Sequence, residues 1–412
     1  MTTNADLMTR LKAVECRDST YKPKSTPLVF ARAKGSVVWD VEGKSYIDLC
    51  AGFGALPLGH ASEALLAVTR EFENAEPMVE HAMGDVYPSE EKILFLETLR
   101  SLMPDSYKLG ALALSGGQAV EIALKTAMLA TKNSGFIVFE NAYHGLDFGV
   151  LPLTAREDFR VPFKNYLAED NIVRLPYGAS KAIVSQGISK LKSTGLAAII
   201  AEPIQGRAGV NSPPAGWLSM LSDIAHEHSG LLILDEVFTG FGRIGTLSSA
   251  GEANADISCF GKAIGGGFPI SACFAKKHIM NAWPESSGEA IHTGTFFGHP
   301  FSAAVGRRTL LAIKDRDLAQ RSKSLGETIK FRLREALKDS PLVKDIRGEG
   351  LFIGIEYTSP GFAAVLMDRL RERGVIALPS GATGSVLSIT PALNIPEDVL
   401  FEAIGHVIEI SK

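Results

Sequence analysis

The chain has 412 residues, 46% of them hydrophobic and 21% charged, with a formal net charge of -4. That length can bury a large core and suits two closely joined domains, and the balanced charge leaves no basic excess to hold a polyanion through its phosphates. Four scattered cysteines, Cys16, Cys50, Cys259 and Cys273, match neither a zinc pattern nor a disulfide scaffold and are read as reduced thiols.

In chain order, the first 24 residues are too polar for the apolar stretch of a signal peptide. No later apolar run approaches the ~20 residues of a membrane-spanning helix. A cytoplasmic protein without nucleic-acid or membrane partners is therefore expected. The segment SVVWDVEGKSYIDL, with Gly43 at its turn, reads as a strand hairpin. Beyond it, Val120, Ala123, Leu124, Ala127 and Met128 share one helical face by their spacing. Short apolar runs follow at GFIVFE (135–140), LAAIIAEP (196–203), GLLILDE (230–236) and DISCFGK (256–262), each predicting a buried strand. Strands alternating with helical stretches imply an α/β core around a mostly parallel sheet. After about residue 310 a charged amphipathic stretch, the run LFIGIEY and the segment SVLSIT describe a smaller α/β domain. The expected organisation is a large domain at 61–310 and a small domain at 311–412, to which residues 1–60 contribute.

Ligands of open parallel sheets sit beyond the carboxyl ends of the strands, and the unusual residues of this chain fall there. Asp235 and Glu236 follow one run, Glu202 and Pro203 another, Tyr143 and His144 a third, and Lys262 a fourth. Lys262 lies between CFG and AIGGGFP, an apolar, glycine-rich setting that disfavours its charged form. A partly neutral lysine is a nucleophile suited to a Schiff base, although a lysine in an exposed turn is the plainer reading of that residue alone. A pyridoxal Schiff base also needs an acid at the ring nitrogen, a place Asp235 can take, and a lone Asp there would otherwise cap a turn. The phosphate needs an anion site, and SGGQAVE (115–121) sets Gly116 and Gly117 at the start of a helix. His226 and His228, two apart in a helix, cannot share a face for one ion, and no metal is assigned.

These residues stand in a longer pattern. GSVVWDVEGKSYIDL with LGH at 58–60, SGGQAVE, AYHG (142–145), EPIQG (202–206), DEVFTGFGRIG (235–245), GKAIGGGFP (261–269), GTFFGHP (294–300) and RGEGLFIGIE (347–356) occur in one order. From about residue 27 to 410 the chain resembles the class III aminotransferases, within the fold-type-I pyridoxal-phosphate enzymes. The resemblance implies pyridoxal 5'-phosphate as cofactor and Lys262 as Schiff-base lysine and proton carrier. It implies Asp235 at the pyridine nitrogen, with Val237 and Tyr143 on the two ring faces. It further implies Gly116, Gly117 and Gln118 on the phosphate side, His144 among the cofactor contacts, and Glu202 near the cofactor's hydroxyl. Thr295 matches a threonine that reaches the neighbouring subunit's phosphate, which implies a homodimer with shared sites. Phe53, Phe297 and His299 are candidates to line the substrate pocket.

The departures from the family lie where substrate is recognised. Many ω-amino transaminases carry an acid at the place of Arg207 and pair it with an arginine at the place of Ser388, so both members of that pair are replaced here. Arg207 can instead hold a carboxylate through two parallel hydrogen bonds. Gln118 and Val120 replace the usual Glu and Asn, and Phe238 stands where some members have Gln. The expected activity is amino transfer between an amine or amino acid and a carbonyl acceptor in two half-reactions. Racemases, epimerases, aminomutases and decarboxylases built on the same scaffold are the alternatives.

Overall fold

Residues 2–20, 28–75, 78–191 and 193–412 are described by the computed structural model. Met1 and Tyr21–Lys24 of the polar N-terminal stretch, and residue 27 where the family resemblance begins, lie outside them. Strands β1 (Phe30–Lys34), β2 (Val37–Asp40) and β3 (Ser45–Asp48) form an antiparallel meander. Gly43, at φ +89°, occupies the turn between β2 and β3, a backbone region that a residue with a Cβ rarely enters. The preceding helix, Asn4–Val14, is tied to this meander by Asn4, whose Nδ2 donates to Asp40 Oδ2 at 3.1 Å.

The central sheet contains β4 (Tyr107–Ala113), β5 (Gly135–Phe139), β6 (Ile172–Leu175), β7 (Leu196–Ala201), β8 (Leu231–Asp235), β9 (Ile257–Phe260) and β10 (Ser271–Lys276). Their order across the sheet is β4-β10-β9-β8-β7-β5-β6. Only β10 runs against its neighbours; the pairs from β9 to β6 are all parallel. Helices cover the faces of such a sheet, so its inner strands are apolar on both sides. Every residue of β5, β7 and β9 is buried. The helix Gly116–Thr131 crosses one face and buries Val120, Ala123, Leu124 and Ala127, whereas Met128 stays 42% exposed at the edge of the predicted stripe.

A second antiparallel sheet contains β11 (Val343–Glu349), β12 (Phe352–Tyr357), β14 (Leu378–Ser380) and β15 (Val386–Ile389). Between them in sequence, β13 (Val375–Ile376) leaves this sheet and pairs in parallel with β3. The N-terminal meander is thus completed by a strand from the last forty residues. The predicted amphipathic stretch forms the helix Leu318–Leu337, which meets the loop at Gly350 so closely that a Cβ on Gly326 would lie 2.0 Å from the Gly350 carbonyl oxygen. Arg243, buried in the loop after β8, donates from Nη1 to the carbonyls of Leu351 (2.9 Å) and Pro391 (2.7 Å), and burial pushes its pKa down to about 9. Those bonds join the site-bearing loop to the C-terminal layers.

Candidate active site

The parallel strands end on the same edge of the sheet, and their extensions enclose a cavity of about 300 Å³. Ser115, Gly116 and Gly117 line it from the helix after β4, and Tyr143, His144 and Gly145 from the loop after β5. Glu202, Gly206 and Arg207 follow β7; Asp235, Val237, Phe238 and Thr239 follow β8; Lys262 follows β9. Residues as far apart in the chain as Ser115 and Lys262 therefore line one cavity because their strands share a sheet.

Asp235, the last residue of β8, is buried and anchored at both oxygens. Oδ2 lies 2.7 Å from His144 Nδ1, and Oδ1 accepts from the Val237 amide at 3.1 Å. Burial opposes a charge on His144, but the hydrogen bond and charge of Asp235, with Glu202 behind it, prevail and raise its pKa. Glu202 accepts from the amides of Tyr143 and Gly206, both at 3.1 Å. Its burial, together with the neighbouring Asp235, pushes its pKa up to about 7 against the opposing pull of His144.

Lys262 begins a short 3-10 turn at φ +43°, a left-handed conformation that non-glycine residues hold only where surrounding structure enforces it. Its Nζ sits 4.2 Å from the centroid of the Phe238 ring. Burial lowers its pKa to about 8, and the nearby guanidinium of Arg207 adds to that, while Asp235 and Glu202 act in the opposite sense. The amine is thus a base and nucleophile close to neutral pH, which agrees with the expectation drawn from its apolar surroundings.

The helix Gly116–Thr131 points its N-terminus into the cavity. Ser115 caps it by accepting from the Gln118 amide, and the Gln118 side chain accepts from the Ser115 amide, closing a capping box. Gln118 is occupied in this way and does not line the cavity. A Cβ on Gly116 would lie 2.6 Å from Val237 Cγ1, and one on Gly117 2.5 Å from Asp147 Oδ2. Two bare residues therefore form a cradle whose amides face the cavity, as an anion site requires.

Other expected residues lie elsewhere. Thr295 is exposed and outside the cavity, with its carbonyl 2.8 Å from His81 Nε2. Phe297 packs against the core and His299 against His81 and Phe296, and neither lines this cavity or the one that adjoins it. Phe53 lines a second cavity that adjoins the first. Sequence reasoning missed Asp147 and Thr239. Asp147 faces the cradle after the AYHG motif, and Thr239 has a buried hydroxyl without a hydrogen-bond partner. A position two residues beyond Gly145 and the polar residue within DEVFTG were the available signals.

A nucleophilic amine, an anchored carboxylate and an anion cradle at the strand ends of a mostly parallel sheet together define a pyridoxal-phosphate-dependent transferase. The observed site fits that cofactor: the cradle suits its phosphate, and the buried His144 Nε2 and Thr239 Oγ1, both without partners, show a cavity wall built for polar contacts. The aminotransferase class-III family matches residues 20–410, and the chain belongs to it. It is 34% identical over 388 residues to an acetylornithine aminotransferase of Methanothermobacter thermautotrophicus, covering 93% of this chain and 94% of that one. It is 32% identical to the mitochondrial ornithine aminotransferase of Arabidopsis thaliana, covering 97% and 85%. Among solved structures, ornithine aminotransferase from Toxoplasma gondii superposes with a TM-score of 0.87 at 26% identity, covering 99% of this chain and 95% of that one. The protein is an aminotransferase that uses pyridoxal phosphate, and the isomerase and decarboxylase alternatives are not favoured by relatives of these names. Among the described residues no helix is long and apolar enough to cross a membrane.

Proposed function

We propose that Lys262 carries the cofactor and moves the proton in an amino transfer between an amino acid or amine and a carbonyl acceptor. The observation that carries this reading is the meeting, in one cavity, of a lysine with its pKa lowered to about 8 and an aspartate anchored by His144. Bound there, pyridoxal phosphate supplies an aldehyde that condenses with amines and a protonated ring that draws electrons from the adjacent carbon. Asp235 would hold the proton of the ring nitrogen, and His144 keeps that carboxylate oriented. The amides of Gly116 and Gly117 would hold the phosphate, and Tyr143, Val237 and Glu202, which line the same cavity, would contact the ring. Lys262 would hold the cofactor through its amine and would serve as the base that takes a proton from the substrate and later gives it back. Arg207 holds a substrate carboxylate.

The same reading makes the enzyme a cytoplasmic homodimer, with residues 1–60 and 311–412 forming a small domain beside the large one at 61–310. Support for the dimer comes from exposed apolar side chains at Met83, Val86 and Tyr87 beside the segment that carries Ile291, Thr295 and Phe296. Thr295 of each chain completes the phosphate site of the other. Four unpaired cysteines, three of them buried, suit a reducing compartment.

Borohydride reduction of the holoenzyme followed by peptide mapping tests the central assignment. The expected label is on Lys262 alone; a label on another lysine, or none, overturns it. A single turnover with an amine donor should convert the bound cofactor from its aldehyde to its amine form.

A further inference from the structure

Beyond Arg207 the cofactor cavity opens into a second one of about 460 Å³, and the two share Gly206, Arg207 and Phe238. Its walls are mainly apolar, from Phe53, Phe352, Ala364, Met367 and Leu378. Among the described residues of the chain, two arginines line it and no carboxylate does. Arg156 has its charge answered: Nε donates to Asp158 Oδ1 at 3.0 Å, Nη2 pairs with the same carboxylate, and the guanidinium covers the Phe159 ring. Arg207 has no ion-pair partner among the described residues; its guanidinium lies 4.9 Å from the Tyr143 ring centroid. Ser388, at the place of the family's arginine, is bonded through its hydroxyl to Ser380 at 2.6 Å, so it makes no demand for a charged partner.

We propose that this second cavity is the specificity pocket for the apolar body of the amino substrate, and that the enzyme acts on hydrophobic amino acids while rejecting diamines and basic amino acids. The proposal rests on the site assignment above and deepens it. With the amine at Lys262 and the carboxylate at Arg207, an aliphatic or aromatic body enters walls that gain by shedding water. A second ammonium group would instead lose its hydration among phenyl rings and guanidiniums, with no acid among the described lining residues of this cavity to receive it. The relatives named for ornithine substrates would then differ from this chain in the charge they admit.

Single-turnover rates of the holoenzyme with three donor series test this: straight-chain monoamines, diamines of the same lengths, and α-amino acids with unbranched side chains of matching lengths. Monoamines, which do not call on Arg207, should gain roughly fourfold in second-order rate constant for each added methylene until the cavity is filled. Diamines should be slower than equal-length monoamines by on the order of a hundredfold, the scale of discrimination a pocket achieves against an unmatched group. Ala364→Phe should stop the gain at a shorter chain, and Met367→Glu, which needs no added volume in the wall, should narrow the gap between diamines and monoamines. A flat monoamine series, or diamines as fast as monoamines, overturns the proposal. In the parent the α-amino acids should outpace monoamines of matching length, and in Arg207→Ala they should lose that advantage; its persistence overturns the carboxylate half alone. Borohydride labelling away from Lys262 would remove the underlying site assignment, an outcome separate from all of these.

Discussion

Lys262 shows how a single side chain is altered by where it is put. Its pKa falls from 10.5 to about 8 because burial outweighs the attraction of Asp235 and Glu202. Folding therefore favours its neutral form. A base whose folded pKa lies below its unfolded value weakens the folded state fully below about pH 8, and this penalty is relieved as pH rises from there toward 10.5. Two outcomes follow for the apoprotein. Capture of pyridoxal phosphate should quicken with pH and level off above about pH 8. Lys262→Met should be more stable than the parent at pH 7, with the gap in urea midpoint closing as the pH is raised. A capture rate that does not change between pH 6 and 9 would contradict the altered pKa of this amine.

At the scale of an element, the helix Gly116–Thr131 owes its position to its cap and its use to its lack of side chains at the start. Ser115 and Gln118 satisfy one another's backbone groups and leave the amides of the two glycines open. The two glycines should not respond alike to substitution. A methyl on Gly116 meets Val237, which is fixed by its backbone bond to Asp235 and stands at a ring face of the proposed site. A methyl on Gly117 meets the end of an exposed aspartate side chain, which can swing away. Gly116→Ala should weaken cofactor binding at least tenfold, about 1.4 kcal/mol, and Gly117→Ala by no more than roughly threefold. Equilibrium titration of the apoproteins with pyridoxal phosphate measures both, and equal losses would place the contact with Val237 out of the argument.

For the whole molecule, the single chain supplies the amine, the carboxylate and the cradle, and leaves Thr295 outside the cavity they form. In the proposed dimer each site takes Lys262 from one chain and Thr295 from the other. A chain with Lys262→Ala mixed with a chain carrying Thr295→Ala should then form hybrid dimers with one intact site, and activity at limiting cofactor should exceed that of either parent. No gain after unfolding and refolding the mixture together would mean that Thr295 serves its own chain.

Four of the seven described strands of the central sheet were legible because their apolar runs are short, unbroken and bounded by glycine or acid: β5, β7, β8 and β9 lie within the predicted runs, whereas β4, β6 and β10 were not foreseen. Lys262, Asp235 and the glycines at 116–117, each ordinary when read alone, stood out because they fall together at strand ends and in the order of one family's motifs. Sequence alone could not show that β13 leaves its neighbours to pair with β3, since a two-residue strand carries no periodicity of its own. Nor could it show that Gln118 turns back to cap its helix, that Asp147 faces the cradle, or that Arg207 joins two cavities with no ion-pair partner among the described residues. Local composition determines which residues must be buried and which are chemically exceptional; the sheet order and the packing of distant loops decide which of them touch, because those contacts join residues that have no relation along the chain.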